Sequence, residues 1–168
     1  MQFVAGLPEA EHALDLGCGD GRLTAKLRAG ALTAADVSSV ALKRASGRLR
    51  DAELALLEPD APLPFVDSEF ELVLCAETIE HVRDVQLFLS EVRRVLRPGG
   101  GLALTTPACS RWTALRLVVN GFESGFDPLS PHLRFLTRKS VARLLDAMGF
   151  DVTSVRRRNG TLLVRATR

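Results

Sequence analysis

Apolar residues along the chain recur with two different spacings, and the spacing changes every ten to twenty residues. Short apolar runs at 13–16, 32–37, 53–57, 70–74 and 102–106 have strand length. Between them apolar positions return at threes and fours. Leu23 and Leu27 predict a helix over 22–29, and a second starts near Ser38 or Ser39. Asp84 is placed to cap a third, carrying Leu87, Phe88, Val92, Val95 and Leu96. Gly30 is expected to end the first helix as a left-handed cap, and Pro98-Gly99-Gly100-Gly101 to stop the third. A last helix over 137–148 closes at Gly149.

Strands alternating with helices predict an α/β fold, a Rossmann-like doubly wound, three-layer architecture with a mostly parallel sheet and its ligand at the strands' carboxyl ends. The final quarter departs from this rhythm. Runs at 150–156 and 161–166 flank Asn159-Gly160, the pair that favours a two-residue reversed hairpin turn, so the sheet should end in an antiparallel hairpin and reach seven strands. No repeat or linker divides residues 1–168, and the length suits a single domain; 120–131 is irregular.

Composition excludes several classes. A net charge of +2 marks neither a nucleic-acid binder nor an anionic-surface binder. The three cysteines, Cys18, Cys75 and Cys109, lack paired metal or redox spacing and read as reduced thiols. The opening MQFVAGLPEAEH has no basic leader with an apolar core, and no later run approaches a membrane span, so a cytoplasmic protein is expected. No cluster of acids in the sequence points to a metal.

The sharpest chemical signal is LDLGCGDG, residues 14–21, between the first strand and the first predicted helix. Gly17 and Gly19 permit close backbone approach to a ligand. The spacing is GxGxG rather than the dinucleotide GxGxxG, and an acid, Asp15, precedes it inside the strand, which argues against pyrophosphate. Asp36, at the end of the second strand and followed by Val37, can accept hydrogen bonds from both ribose hydroxyls of a nucleoside.

These residues, with LPFVDSEFELVL, ETIEHV, RRVLRPGGGLALTTP and HLRFLT, resemble the class I S-adenosylmethionine-dependent methyltransferases over nearly the whole chain, especially the small-molecule group with an LDLGCGxG loop. The resemblance implies that Asp15, Gly17, Cys18 and Gly19 carry the methionine portion of S-adenosyl-L-methionine, that Asp36 holds its ribose, and that Cys75, Ala76 and Glu77 after the fourth strand meet its methionine end. An acid after the third strand would read adenine. Strand-end alignment favours Glu58, but Pro59 has no N–H; Asp60 followed by Ala61 supplies both carboxylate and donor. The hairpin ending also matches methyltransferase sheets.

On the acceptor side, His81 is the most useful acid-base group, with a structural role for its loop as the alternative. The run CAETIEH differs from the Pro-Pro-aromatic pattern of nucleobase amino-methyltransferases. Cys75 lacks the context of a cytosine-C5 nucleophile, so an oxygen or carbon nucleophile on a small molecule is the expected acceptor. Residues 109–135 occupy the family's acceptor-lid position, with Trp112, Phe122, Phe126, His132 and Phe135 as wall or packing residues; His132 reads as a fastener of lid to core. Arg156, Arg157, Arg158, Arg165 and Arg168 make the hairpin basic, but without interleaved aromatics they read as a solvated face, and nucleic acid is not the expected partner. The chain starts almost at the first strand, without the closing helices common in relatives, which leaves room for a protein partner or a homodimer. A catalytically silent S-adenosylmethionine-binding module and an NAD-dependent oxidoreductase are the competing readings; the GxGxG spacing and the missing Tyr-x-x-x-Lys pair oppose the latter.

Overall fold

The structure is a computed structural model that describes residues 2–109, 118–119, 121 and 132–168. Most of the expected 109–135 lid, including Trp112, Phe122 and Phe126, lies outside the described residues.

Seven strands, β1 (Ala10–Leu16), β2 (Ala29–Asp36), β3 (Glu53–Leu56), β4 (Phe70–Ala76), β5 (Leu96–Pro107), β6 (Asp151–Arg158) and β7 (Thr161–Thr167), form one sheet ordered β3-β2-β1-β4-β5-β7-β6. β1 to β5 pair in parallel, whereas β7 runs antiparallel between β5 and β6. Asn159 (φ +48°) and Gly160 (φ +82°) both take left-handed backbone at the turn between β6 and β7, as a reversed hairpin turn requires. The chain winds outward from β1 to β3 and returns to β4 on β1's other side, so a crevice opens where β1 and β4 diverge.

Side-chain alternation along the strands assigns each face its cover. Leu14, Leu16, Val73, Leu102 and Leu104 face helices α3 (Val85–Val95) and α4 (Arg138–Ala147), meeting Leu89, Val92, Val141 and Leu145. On the other face Ala13, Leu72, Leu74 and Ala103 meet Val4 and Leu7 around the short helix α1 (Gln2–Ala5), and Ala34 meets Leu42 and Ala45 of α2 (Ser39–Ser46). Ser38 caps α2 by accepting from the Ala41 N–H, and Asp84 caps α3 by accepting from the N–H groups of Gln86 and Leu87. Among the described residues no helix is long and apolar enough to cross a membrane.

Two expectations fail. In place of a helix over 22–29 there is a single 3-10 turn, Thr24–Lys26. Leu27 is already extended, and β2 begins at Ala29 because 29–31 pair with the start of β1 (Ala10↔Ala29, His12↔Ala31). A helix this short would leave its nucleation cost nearly unrecovered, and strand pairing takes its last residues. Gly30 therefore caps nothing; it lies in β2, where an added Cβ would stand 3.1 Å from the Glu11 carbonyl oxygen. The glycine run at 98–101 likewise does not end α3 in a turn. Leu96 is extended directly after Val95, and the glycines form a bulge inside β5: Phe70 pairs with Leu96 but Leu72 with Gly101. Gly99, at φ +76°, donates its N–H to the Arg168 carbonyl, so the bulge binds the last residue of the chain.

Candidate functional site

At the end of β1 the backbone turns sharply. The N–H groups of Gly17 and Cys18 both donate to the Ala35 carbonyl on β2, and the Gly21 N–H donates to the Cys18 carbonyl. Gly17 has φ +79°, and an added Cβ would stand 2.5 Å from Thr78 Oγ1, so its missing side chain makes room for the segment after β4. Thr78 Oγ1 in turn lies 3.0 Å from the Leu16 carbonyl, joining the ends of β1 and β4. Asp36 ties the loop to β2: one carboxylate oxygen accepts from the Gly19 N–H at 2.9 Å and the other from the Ser38 N–H at 2.8 Å. A carboxylate offers about four acceptor positions, so two remain for a ligand.

A cleft of about 240 Å³ opens at these strand ends, and Gly17, Asp36, Val37, Glu58, Asp60, Ala61 and His81 all stand in its wall. Leu87 and Phe88 of α3 give it an apolar side. Asp60 holds left-handed backbone (φ +57°) and pairs with Arg83 at 2.9 Å. Both partners reach solvent, so this pair is easily exchanged for another.

Other residues singled out from the sequence stand outside this wall. Asp15 is only 1% exposed; the Thr24 hydroxyl donates to its Oδ2 at 2.6 Å while Oδ1 has no partner. Burial pushes its carboxyl up to about 7, opposed by the Thr24 hydrogen bond and aided by the charge of Asp36. Cys18 is buried under α2, and burial together with Asp15 and Asp36 pushes its thiol up to about 12. Cys75 points into the core beneath α3 and α4, where burial raises its thiol well above the ordinary range. These are inert thiols. Gly19 meets the cleft only through its bond to Asp36, and Ala76 packs on the opposite face of the sheet. Glu77, at φ +52°, accepts from the Thr105 hydroxyl at 2.7 Å and lines a second cavity of about 440 Å³ with Phe3, Leu23 and Leu163.

Next to His81, which stands in the cleft wall, is a grouping that sequence reasoning did not single out. Glu80 is 1% exposed, neither of its carboxylate oxygens has a hydrogen-bond partner, and the neighbouring Thr106 hydroxyl is equally unpartnered. Burial pushes the Glu80 carboxyl above its ordinary range; the nearby Glu80 backbone N–H and Thr106 hydroxyl, close to it without forming a full hydrogen bond, oppose the rise together with His81, and Glu77 adds to it. His81 and His132 lie side by side with ring centroids 4.9 Å apart. The segment carrying His132 is fastened by its neighbours: the Leu133 N–H donates to the Glu80 carbonyl at 2.7 Å, and the Arg134 guanidinium donates to the carbonyls of Val82 and Arg83. The signal in the sequence was Glu80 beside His81; its fifty-residue distance from His132 hid the rest.

The strand order, the antiparallel β7 and the glycine loop at the crevice define the class I methyltransferase fold. Residues 14–104, more than half of the chain, match the methyltransferase domain family, and the chain belongs to it. It is 37% identical over 98 residues to an uncharacterized methyltransferase of Mycobacterium bovis, covering 55% of this chain and 49% of that one. It is 31% identical over 162 residues to the ubiquinone biosynthesis O-methyltransferase of Nitrobacter winogradskyi, covering 91% of this chain and 60% of that one. Among solved structures, an S-adenosylmethionine-dependent methyltransferase from Aquifex aeolicus superposes with a TM-score of 0.74 at 20% identity, covering 97% of this chain and 85% of that one. The chain spans about half or less of the length of the first curated relatives it matches.

Proposed function

We propose that this domain transfers a methyl group from S-adenosylmethionine to an oxygen or carbon nucleophile of a small molecule. The observation that carries the reading is the cleft that gathers Gly17, Asp36, the Glu58–Ala61 segment and His81 at the carboxyl ends of β1 to β4. The residues present fit a nucleoside with an amino-acid tail. Asp36 keeps acceptor capacity for two ribose hydroxyls, and Asp60 with the Ala61 N–H, or Glu58, matches the edge of adenine. The orphaned Oδ1 of the buried Asp15 is an acceptor suited to an ammonium or to a water beside one. When bound, S-adenosylmethionine supplies an electrophilic methyl on a sulfonium with a good leaving group. The protein's share is then alignment and exclusion of water, which Leu87 and Phe88 serve from the apolar side. His81 is the group assigned to the proton of an acceptor hydroxyl.

The relative from Nitrobacter, an O-methyltransferase, supports oxygen as the atom methylated. Calorimetric titration with S-adenosylhomocysteine and with NAD tests the cofactor: the first should bind and raise the melting temperature, the second should do neither. Binding of NAD alone would overturn the reading. Transfer of labelled methyl to a panel of phenols, enols and hydroxy acids separates an enzyme from a silent binding module. With an accepted substrate, His81→Gln should lower turnover about 100-fold while leaving the affinity for S-adenosylhomocysteine nearly unchanged.

A further inference from the structure

Burying a carboxylate without a hydrogen bond is costly, and proteins meet that cost with a proton, a cation or a bound metal. Glu80 is such a carboxylate: both oxygens are unpartnered within a side chain that is 1% exposed. What surrounds it selects among the three. One ligand atom each from Glu80, His81 and His132 lie within 4.8 Å of one another, the buried acid at the base and the two exposed imidazoles at the mouth. Two imidazoles and one carboxylate form a donor set for a first-row transition ion, since Mg2+ and Ca2+ prefer all-oxygen shells. The bonds from Leu133 and Arg134 to the backbone of residues 80–83 bring the second histidine in from a distant segment and hold it there.

We propose that Glu80, His81 and His132 form a binding site for a divalent transition-metal ion, zinc by its chemistry, beside the cofactor cleft, whose wall it shares through His81. Donor atoms around zinc at about 2.0–2.1 Å stand roughly 3.3 Å apart. Binding an ion therefore requires the ligand atoms to close in by about 1.5 Å from their 4.8 Å limit, with the buried Glu80 as the fixed member. Three protein ligands leave a coordination position open toward the cleft, the arrangement of a reactive rather than a purely structural zinc. Resting on the methyl-transfer reading, that open position takes an oxygen of the acceptor, and an ionisable hydroxyl or enol becomes the favoured acceptor class. On this arrangement His81 would act as a ligand and not as a base: the ion would lower the pKa of the bound hydroxyl, whose proton would pass to solvent water before the oxygen takes the methyl from the sulfonium.

The three histidines of the chain make the test sharp, because only His12 lies outside the group. His12 sits instead against Thr33 Oγ1 at 3.0 Å and serves as the control. The full chain, stripped with chelator, is titrated with Co2+ by visible absorption and with Zn2+ by calorimetry. One equivalent should bind, with a d–d band for Co2+. Glu80→Gln and His132→Gln should each weaken binding at least tenfold, and His12→Gln should leave it unchanged. Glu80→Gln keeps the shape of the side chain while removing its buried charge, so its melting temperature without metal should equal or exceed that of the wild type while the rise on adding Zn2+ is lost. Binding that survives both Glu80→Gln and His132→Gln, or no binding by the wild type, overturns the site. Full methyl transfer in the stripped protein overturns the acceptor role alone. Tight Co2+ binding without methyl transfer to any acceptor leaves the metal site standing and overturns the enzyme reading beneath it.

Discussion

The cleft lies between two unlike regions, the glycine loop with Asp15 and the segment after β4 with Glu80, each holding a buried carboxylate set back from the cleft wall. At the glycine-loop end Asp15 receives a hydroxyl bond from Thr24 at 2.6 Å and leaves one oxygen unpartnered, while Asp36 is held by two backbone N–H groups. At the β4 end Glu80 receives no hydrogen bond, and two imidazoles stand beside it. Both acids are 1% exposed. The first end is prearranged by the protein's own donors and asks its ligand for little reorganisation; the second is complete only with a cation or proton. On the proposed reading, binding a nucleoside and holding a reactive oxygen make these different demands, and Thr78, bonded to the Leu16 carbonyl, joins the two regions.

That tie is where the comparison breaks most forcefully. Gly17→Ala forces a Cβ to 2.5 Å from Thr78 Oγ1 and 2.9 Å from its Cγ2, at a backbone φ of +79°. Strain and overpacking together should cost about 3–4 kcal/mol, measured by urea unfolding. Because Thr78 precedes Glu80 and His81, the variant should lose Co2+ binding along with S-adenosylhomocysteine binding. Thr78→Ser, which removes only the methyl, should cost under about 1.5 kcal/mol and keep both. A Gly17→Ala protein within about 1 kcal/mol of wild type would show that the two ends are not coupled through this contact.

Asp36→Ala tests the first end alone. Losing charge-assisted bonds to ribose should weaken S-adenosylhomocysteine by roughly 1.5–3 kcal/mol, on the order of 10- to 100-fold, with Co2+ affinity unchanged. Equal loss of both ligands would instead mean that the Gly19 and Ser38 bonds of Asp36 hold the whole crevice in shape. Unchanged affinity for S-adenosylhomocysteine in a folded variant would remove Asp36 from the site.

The same division explains what could be read from the sequence. Asp36 at a strand end, the Asp84 cap and the Asn159-Gly160 turn are local: each is decided by a few neighbouring residues, and each stands where the pattern put it. The run at 22–29 misled because Leu23 and Leu27 satisfy helical spacing and equally serve as partly buried props of the core below the 3-10 turn. Its outcome was decided by the pairing of Ala10 with Ala29 and His12 with Ala31, which local spacing does not encode. The Glu80 grouping was hidden for a related reason: it needs His132, and the meeting depends on Leu133 and Arg134 bonding to backbone far away in the chain.

The finest test of the comparison is the pH dependence of stability, and it rests on Asp15. Its carboxyl is raised from 3.8 to about 7 on folding, chiefly by burial. Between these values the folded state holds a proton that the unfolded chain has released, so stability falls as pH rises through this window and is lowest above about 7. From pH 5.5 to 7.0 the loss from this group should be on the order of 1–2 kcal/mol. Asp15→Asn keeps an acceptor for the Thr24 hydroxyl but cannot ionise, so the difference between wild type and variant isolates Asp15 from Glu80, whose raised carboxyl slopes in the same direction. Unfolding in urea at the two pH values should show the variant gaining on the wild type as pH increases. A saturating amino-acid ligand with its ammonium near Asp15 should flatten the wild-type slope by favouring the carboxylate. Parallel pH profiles for wild type and variant would mean that Asp15 stays ionised in the folded protein, and that its orphaned oxygen is satisfied by water.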